Sequence, residues 1–203
     1  YPYSFLLKVH IICILKASTF LPSKVTNFKK QWITSSCYVK KGSSKVIYCL
    51  AHSNKKMDFE KFLTNQGSDF KGRTLDEIWS YSDNEIEGTH DFVQLVFPTN
   101  KPSQATFNKL FLNDQALIDK LKNNPKVINN LEKSAAWFLS FLSRNDAWQK
   151  GHDHNQLRIT RVIESLRLLV SDEAADEFYK AILRLVKDPT ILNPTTLKFW
   201  EEA

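Results

Sequence analysis

The stretch HNQLRITRVIESL, His154 to Leu166, reads as one helix with two distinct faces. Ile159, Val162, Ile163 and Leu166, continued by Leu169 and Val170, recur at the helical period and mark a buried side. His154, Arg158, Arg161 and Ser165 follow one another at spacings of four, three and four, so they form a polar stripe on the same helix. A guanidinium ordered beside a core has to meet a partner, and three readings of Arg158 and Arg161 stand open. In the first they decorate a solvated face, with Arg161–Glu164 and Glu164–Arg167 as weak i,i+3 pairs. In the second they tie the helix to acids of a neighbouring element, Asp91 or Glu87. In the third they hold an anion, which guanidinium forks bind in two-pronged fashion and which the positive end of a helix favours.

The same period runs through most of the chain from Met57 onward. MDFEKFLTNQG is a short amphipathic piece with Phe59, Phe62 and Leu63 on one side, stopped at Gly67. Ile86, His90, Val93 and Phe97 fall at spacings of four, three and four, which predicts one helix terminated by Pro98. His90 and Gln94 would be polar neighbours on that otherwise apolar helix. Such residues serve as satisfied core hydrogen bonds or read the polar end of a ligand, in a pocket that Trp137 and Trp148 could wall. The segment TNKPSQ is a loop by composition. Asn113 can cap a helix carrying Leu117, Ile118 and Leu121. Asn124–Pro125 is a cap-then-proline start for a helix to about Ser143, with Val127, Ile128, Leu131, Ala135, Phe138 and Leu142 in its core stripe. Asp153 and Gln156 fit a capping box. Ser171 or Asp172 opens a helix burying Phe178, Ile182 and Leu185, and Asn193–Pro194 repeats the cap-proline start before Leu197 and Trp200. The expected fold is all-α, a single compact domain of six to seven helices over residues 57–203.

Charge is unevenly distributed. The 203 residues carry a formal net charge of +6, which suggests a partner such as nucleic acid or acidic lipid. Residues 1–56, however, hold ten lysines and no Asp or Glu, leaving 18 basic and 22 acidic residues in 57–203. Cys13, Cys37 and Cys49 also lie in the first segment, residue 1 is Tyr, and Met57 is the one methionine. The lysine-rich segment 1–56 is therefore expected to stand outside the fold, unstructured or non-native, as upstream translated sequence, a targeting peptide or a genuine extension. The run VHIICIL falls well short of the ~20 residues that span a bilayer. Peripheral membrane association stays open. With the first segment set aside, nucleic-acid binding loses the lysines that would neutralise phosphates. Residues 57–203 contain no cysteine, so neither a disulfide framework nor a thiol nucleophile is available there.

Two clusters bear on chemistry. His152, Asp153 and His154, with His90 elsewhere, contain types that ligate divalent metals, but Asp153 serves equally as a helix cap and residues two apart do not share a helix face. Gly-rich phosphate loops, nucleophile elbows and paired carboxylates in a known frame are absent. No catalytic residue, metal ligand or cofactor is assigned on these grounds, and an enzyme is not the expectation.

Two stretches together resemble a known family. HDFVQLVFP with the following Pro102-Ser103, and HNQLRITR followed by an aliphatic pair and Ser165-Leu166, resemble the two signatures of the opioid growth factor receptor conserved domain. LKFWEEA at the end is similar to its closing Phe-Trp element. The matching positions are His90, Gln94, Phe97, Pro98, His154, Asn155, Leu157, Arg158, Thr160, Arg161 and Trp200, and the resemblance covers about 57–203. Two departures are Leu95 in place of Trp, and Gln156 where a histidine or aromatic is common, which further weakens a metal site. The resemblance implies an all-α domain. In animals this domain belongs to nucleus-associated receptors for Met-enkephalin that restrain proliferation; it also stands alone in microbial proteins without an established role. The expectation is a binding and signalling module for a short peptide or other carboxylate-bearing ligand, with Arg158 and Arg161 on the carboxylate. His90, Gln94, His154 and Asn155 complete the candidate ligand site. The location expected is the cytoplasm, or the nucleus or a membrane surface if the chain behaves like the animal members. The alternatives are a metal-assisted enzyme using His90, His152 and His154, or a purely structural interaction domain.

Overall fold

The computed structural model describes residues 57–103 and 110–203, together with the backbone of two short strands. Those strands, β1 (Ser36–Cys37) and β2 (Cys49–Leu50), pair antiparallel with Ser36 opposite Leu50. They belong to a unit spanning Tyr1–Ser53, and everything below concerns the second unit, Asn54–Ala203. The expectations for the remainder of residues 1–56 lie outside the described residues.

From Met57 the fold is all-α. The elements are α1 (Phe59–Leu63), α2 (Leu75–Trp79), α3 (Asp83–Gly88), α4 (Val93–Val96), α5 (Gln115–Lys122), α6 (Pro125–Arg144), α7 (His154–Leu169), α8 (Asp172–Leu185) and α9 (Pro194–Glu202). Single 3₁₀ turns at Ala147–Gln149 and Pro189–Ile191 join the later ones. The described residues thus hold nine helices rather than six or seven, because the region before Pro98 folds as four pieces of four to six residues. Isolated helices that short are unstable, so each depends on its caps and on packing. Thr74 with Glu77, and Ser82 with Glu85, form complete capping boxes at α2 and α3.

The long helices start where side-chain oxygens can satisfy the first free N–H groups. Asn124 accepts from the Lys126 N–H ahead of Pro125, Ser171 from Ala174, and Asn193 from Thr195. At α5 the cap is Asp114, one residue beyond the expected Asn113, which is exposed. Asp153 caps α7 as expected, but Gln156 does not reach back to complete a box. Its amide instead donates to the carbonyls of Trp148 and Gly151, and its oxygen accepts from Thr196. Gln156 thereby stitches the loop before α7 to α9, beside the paired indoles of Trp148 and Trp200, both fully buried.

The helix expected from Ile86 through Phe97 is broken. The α3 helix ends at Gly88, Thr89 is extended (φ −101°, ψ 115°), and a new turn begins at Val93. Glycine and a β-branched residue in succession weaken the helix there, and the released carbonyls are taken up by α7, as described below. One consequence is that His90 is exposed instead of facing the core.

A single apolar core collects Phe62, Leu75, Ile86, Phe92, Phe97, Leu131, Phe138, Phe141 and most of one side of α7. Trp137 is half-buried and packs edge-on against Phe92. Ile128, Val170 and Leu185 are only partly buried, not core as expected. The α7 helix packs against α5, α6, α8 and α9, which makes it the centre of the domain. Among the described residues no helix is long and apolar enough to cross a membrane.

Ahead of α2 and α4, Arg73 binds the buried Asp69 through Nε at 2.7 Å and reaches Asp91 through Nη1 at 2.8 Å, with Lys71 also on Asp91. Burial pushes the Asp91 carboxyl up, but the hydrogen bonds and charges of Lys71 and Arg73 outweigh it and hold the group below its usual value. A depressed carboxylate stabilises the fold above its unfolded-state value near ~4 and loses that contribution as pH falls through the lower folded value. Asp91→Asn is therefore expected to lower stability by about 1–3 kcal/mol at neutral pH. In urea titrations at descending pH, the gap between wild type and variant should close progressively below about pH 4.

Candidate anion-binding site

The stripe His154, Arg158, Arg161 and Ser165 faces the chain between α3 and Pro98. Arg158 is 6% exposed. Its Nη1 donates to the Ile86 carbonyl and to Asn155 Oδ1, each at 3.0 Å. Its Nη2 donates to the Thr89 carbonyl at 3.0 Å and lies 3.1 Å from His90 Nδ1. Because an arginine can only donate, that contact sets Nδ1 of His90 as the acceptor and places its proton on Nε2. One and two turns further on, Arg161 Nε donates to the Phe97 carbonyl at 2.9 Å, and Ser165 Oγ donates to the Pro98 carbonyl at 2.9 Å. Three side chains of α7 thus take up four carbonyls released where α3 and α4 end.

This outcome departs from both the solvated-face and the ion-pair readings. Among the described residues neither Arg158 nor Arg161 has a carboxylate within ion-pair distance. Asp91 is engaged by Arg73 and Lys71, Glu164 by Lys101, and Arg167 by Asp172 and Asp176. Glu87 receives the Asn155 amide, at 3.1 Å from Oε2, instead of a guanidinium. Carbonyls carry only partial charge, so the cost of burial is incompletely offset. Burial pulls Arg158 below its usual value against the opposing charges of Glu87 and Asp153. Burial likewise pulls Arg161 down to about 10, with Glu164 opposing. Both remain cationic at neutral pH.

Beside this strap lies a cavity of about 630 Å³, within the ~300–1,000 Å³ typical of small-molecule sites. His90, Gln94, His154, Arg158 and Arg161 all line it. Asn155, the sixth candidate, does not; it is fully buried between Glu87 and Arg158 and acts as a positioning residue. The walls that sequence reasoning missed are Val93, Leu157 and Pro102 on the apolar side, Thr99 and Thr160 among the polar ones, and Lys101 with Glu164. Leu157 carried a usable signal: it is an apolar residue three after His154 and four before Arg161, on the polar side of α7, where it stands 60% exposed. Trp148 and Trp137 do not line the cavity: Trp148 sits in the core, with its indole N–H on the Leu142 carbonyl.

The geometry inside is asymmetric. Both terminal nitrogens of Arg158 are committed to the protein. Arg161 is held only through Nε, and its Nη2 is buried with no hydrogen-bond partner among the described residues. An unpaired buried donor costs about 1–3 kcal/mol, more when charged. His154 packs edge-on to His90, with ring centres 5.2 Å apart. Burial, then Arg158, holds its imidazole below the usual value, against Asp153 and Glu87. His152 is exposed and outside the cavity, so the histidine trio suggested by the sequence is not assembled.

No known protein family, curated protein or solved structure matches the chain.

The strap makes Arg158 a structural requirement. Arg158→Met leaves the Ile86 and Thr89 carbonyls unpaired and is expected to cost about 3 kcal/mol, a drop of roughly 6–12 °C in thermal midpoint. Arg158→Lys should recover little of it, since one ammonium does not reproduce the planar fork that spans two carbonyls and an imidazole. Ser165→Ala, removing one neutral bond, should cost about 1 kcal/mol. Circular-dichroism melts of the three variants test that order.

Proposed function

We propose that the chain is a binding module for a carboxylate-bearing ligand such as a short peptide, in the manner of an opioid growth factor receptor domain. The supporting observation is Arg161: it lines a cavity large enough for a ligand, and its buried, cationic Nη2 has no hydrogen-bond partner among the described residues. A carboxylate there supplies, through a charge-assisted bond, the full negative charge that the Phe97 carbonyl lacks. Arg158 contributes its field from behind and fixes His90, whose Nε2–H is then the donor left for the ligand. Val93, Leu157 and Pro102 offer the apolar surface that a peptide side chain needs. In this reading the carboxylate contact belongs to Arg161, and Arg158 positions the wall.

The resemblance of the two sequence signatures to that receptor family supplies the ligand class. The fold adds a reason for the signatures to occur together, because the first provides His90 and the Phe97 and Pro98 carbonyls and the second provides the side chains that hold them.

Calorimetric titration of Met-enkephalin, as the free acid and as the C-terminal amide, tests the assignment. The acid is expected to bind about 10- to 100-fold more tightly, as befits one charged hydrogen-bonded contact. Arg161→Gln, which can still donate to the Phe97 carbonyl, should remove that preference. Equal affinity for acid and amide, or a preference that survives Arg161→Gln, would overturn the reading.

A further inference from the structure

We propose that Glu87, Asp153 and His154 form a site for a divalent transition-metal ion, with zinc the best match to their donor chemistry. Glu87 stands in the last turn of α3, Asp153 is the cap of α7, and His154 is its first residue. One potential ligand atom from each lies within 4.8 Å of the others. His154 Nε2 and Glu87 Oε1 stand 3.4 Å apart, and Asp153 Oδ1 stands 4.0 Å from the other ring nitrogen, Nδ1. Ligands bound at 2.0–2.1 Å to a tetrahedral zinc ion stand about 3.3–3.4 Å from each other, which is the separation of His154 Nε2 and Glu87 Oε1; Asp153 closes in to complete the set. The separation is long for a hydrogen bond, and Nε2 is buried with no hydrogen-bond partner among the described residues.

The surroundings fit the same chemistry. Two carboxylates face one guanidinium, that of Arg158, which leaves the cluster an excess of negative charge for a cation. One imidazole and two carboxylates suit zinc better than calcium or magnesium, which prefer oxygen alone. Glu87 is already oriented by the Asn155 amide, and Asn155 by Arg158, the kind of outer support that metal-ligating carboxylates carry. Three protein ligands leave one tetrahedral position open. Neither His152, which is exposed, nor Gln156, whose side chain points to Trp148 and Gly151, takes part. The substitution at Gln156 therefore does not bear on the site.

Zinc binding by the full chain, measured in competition with a chromophoric chelator, tests this assignment. Cysteines and histidines of the first segment can hold zinc themselves, so the readout is the one equivalent lost on substitution. His154→Gln and Glu87→Gln are each expected to lose one equivalent or to weaken it at least about tenfold. Asp153→Asn should do the same while preserving the cap, since Asn caps a helix as well as Asp; unchanged circular dichroism then separates ligand loss from unfolding. At equal zinc concentration the thermal midpoint of the wild type should rise by more than that of any variant. A wild-type chain that binds no zinc, or a variant that keeps the full complement at unchanged affinity, would overturn the assignment.

Discussion

Buried arginines usually find carboxylates; here Arg158 and Arg161 find the backbone. A short helix leaves its last carbonyls unpaired, and α3 and α4 are so short that unpaired carbonyls are a large share of their backbone. Water has little access to most of them, because Ile86, Phe97 and Pro98 are buried and Thr89 is half-buried. The polar stripe of α7 supplies the donors instead, through Arg158 to Ile86 and Thr89, Arg161 to Phe97 and Ser165 to Pro98. Charged donors to carbonyl oxygens contribute roughly 1.5–3 kcal/mol each, enough to hold the two short helices α3 and α4 in place. The α1 helix packs separately, against α6.

The strap also explains where positive charge is left without a carboxylate among the described residues. Carbonyl oxygens satisfy hydrogen-bonding geometry but do not neutralise a formal charge, so positive potential remains beside the cavity after the fold is complete. Arg158 is fully committed, whereas Arg161 is committed on one edge of its guanidinium only. The difference follows from position. Arg158 meets the broken junction between α3 and α4, where two carbonyls and His90 converge, while Arg161 meets only the C-terminal end of α4. In the proposed reading, support and recognition use residues one turn apart on one helix, and Glu87 reaches the start of α7 beside Asn155 and His154.

Much of this was legible residue by residue. Capping side chains at Asn124, Asp153, Ser171 and Asn193 announced their helices because a cap works through atoms two or three residues away. The boxes at Thr74–Glu77 and Ser82–Glu85 carried an equally local signal that periodicity alone passed over. The break at Gly88–Thr89 was harder to see. Ile86, His90, Val93 and Phe97 keep helical spacing across it, and only a donor from 70 residues further along the chain makes an interrupted path favourable.

The sequence by itself determined an all-α domain from Met57, the placement of its long helices, and a polar stripe on α7 that demanded partners, since these depend on local propensity, capping and period. Tertiary structure decided who those partners are. Whether a guanidinium meets a carboxylate, a carbonyl or a cavity depends on which distant backbone is left unpaired and how much water reaches it, and no spacing within one helix encodes either quantity.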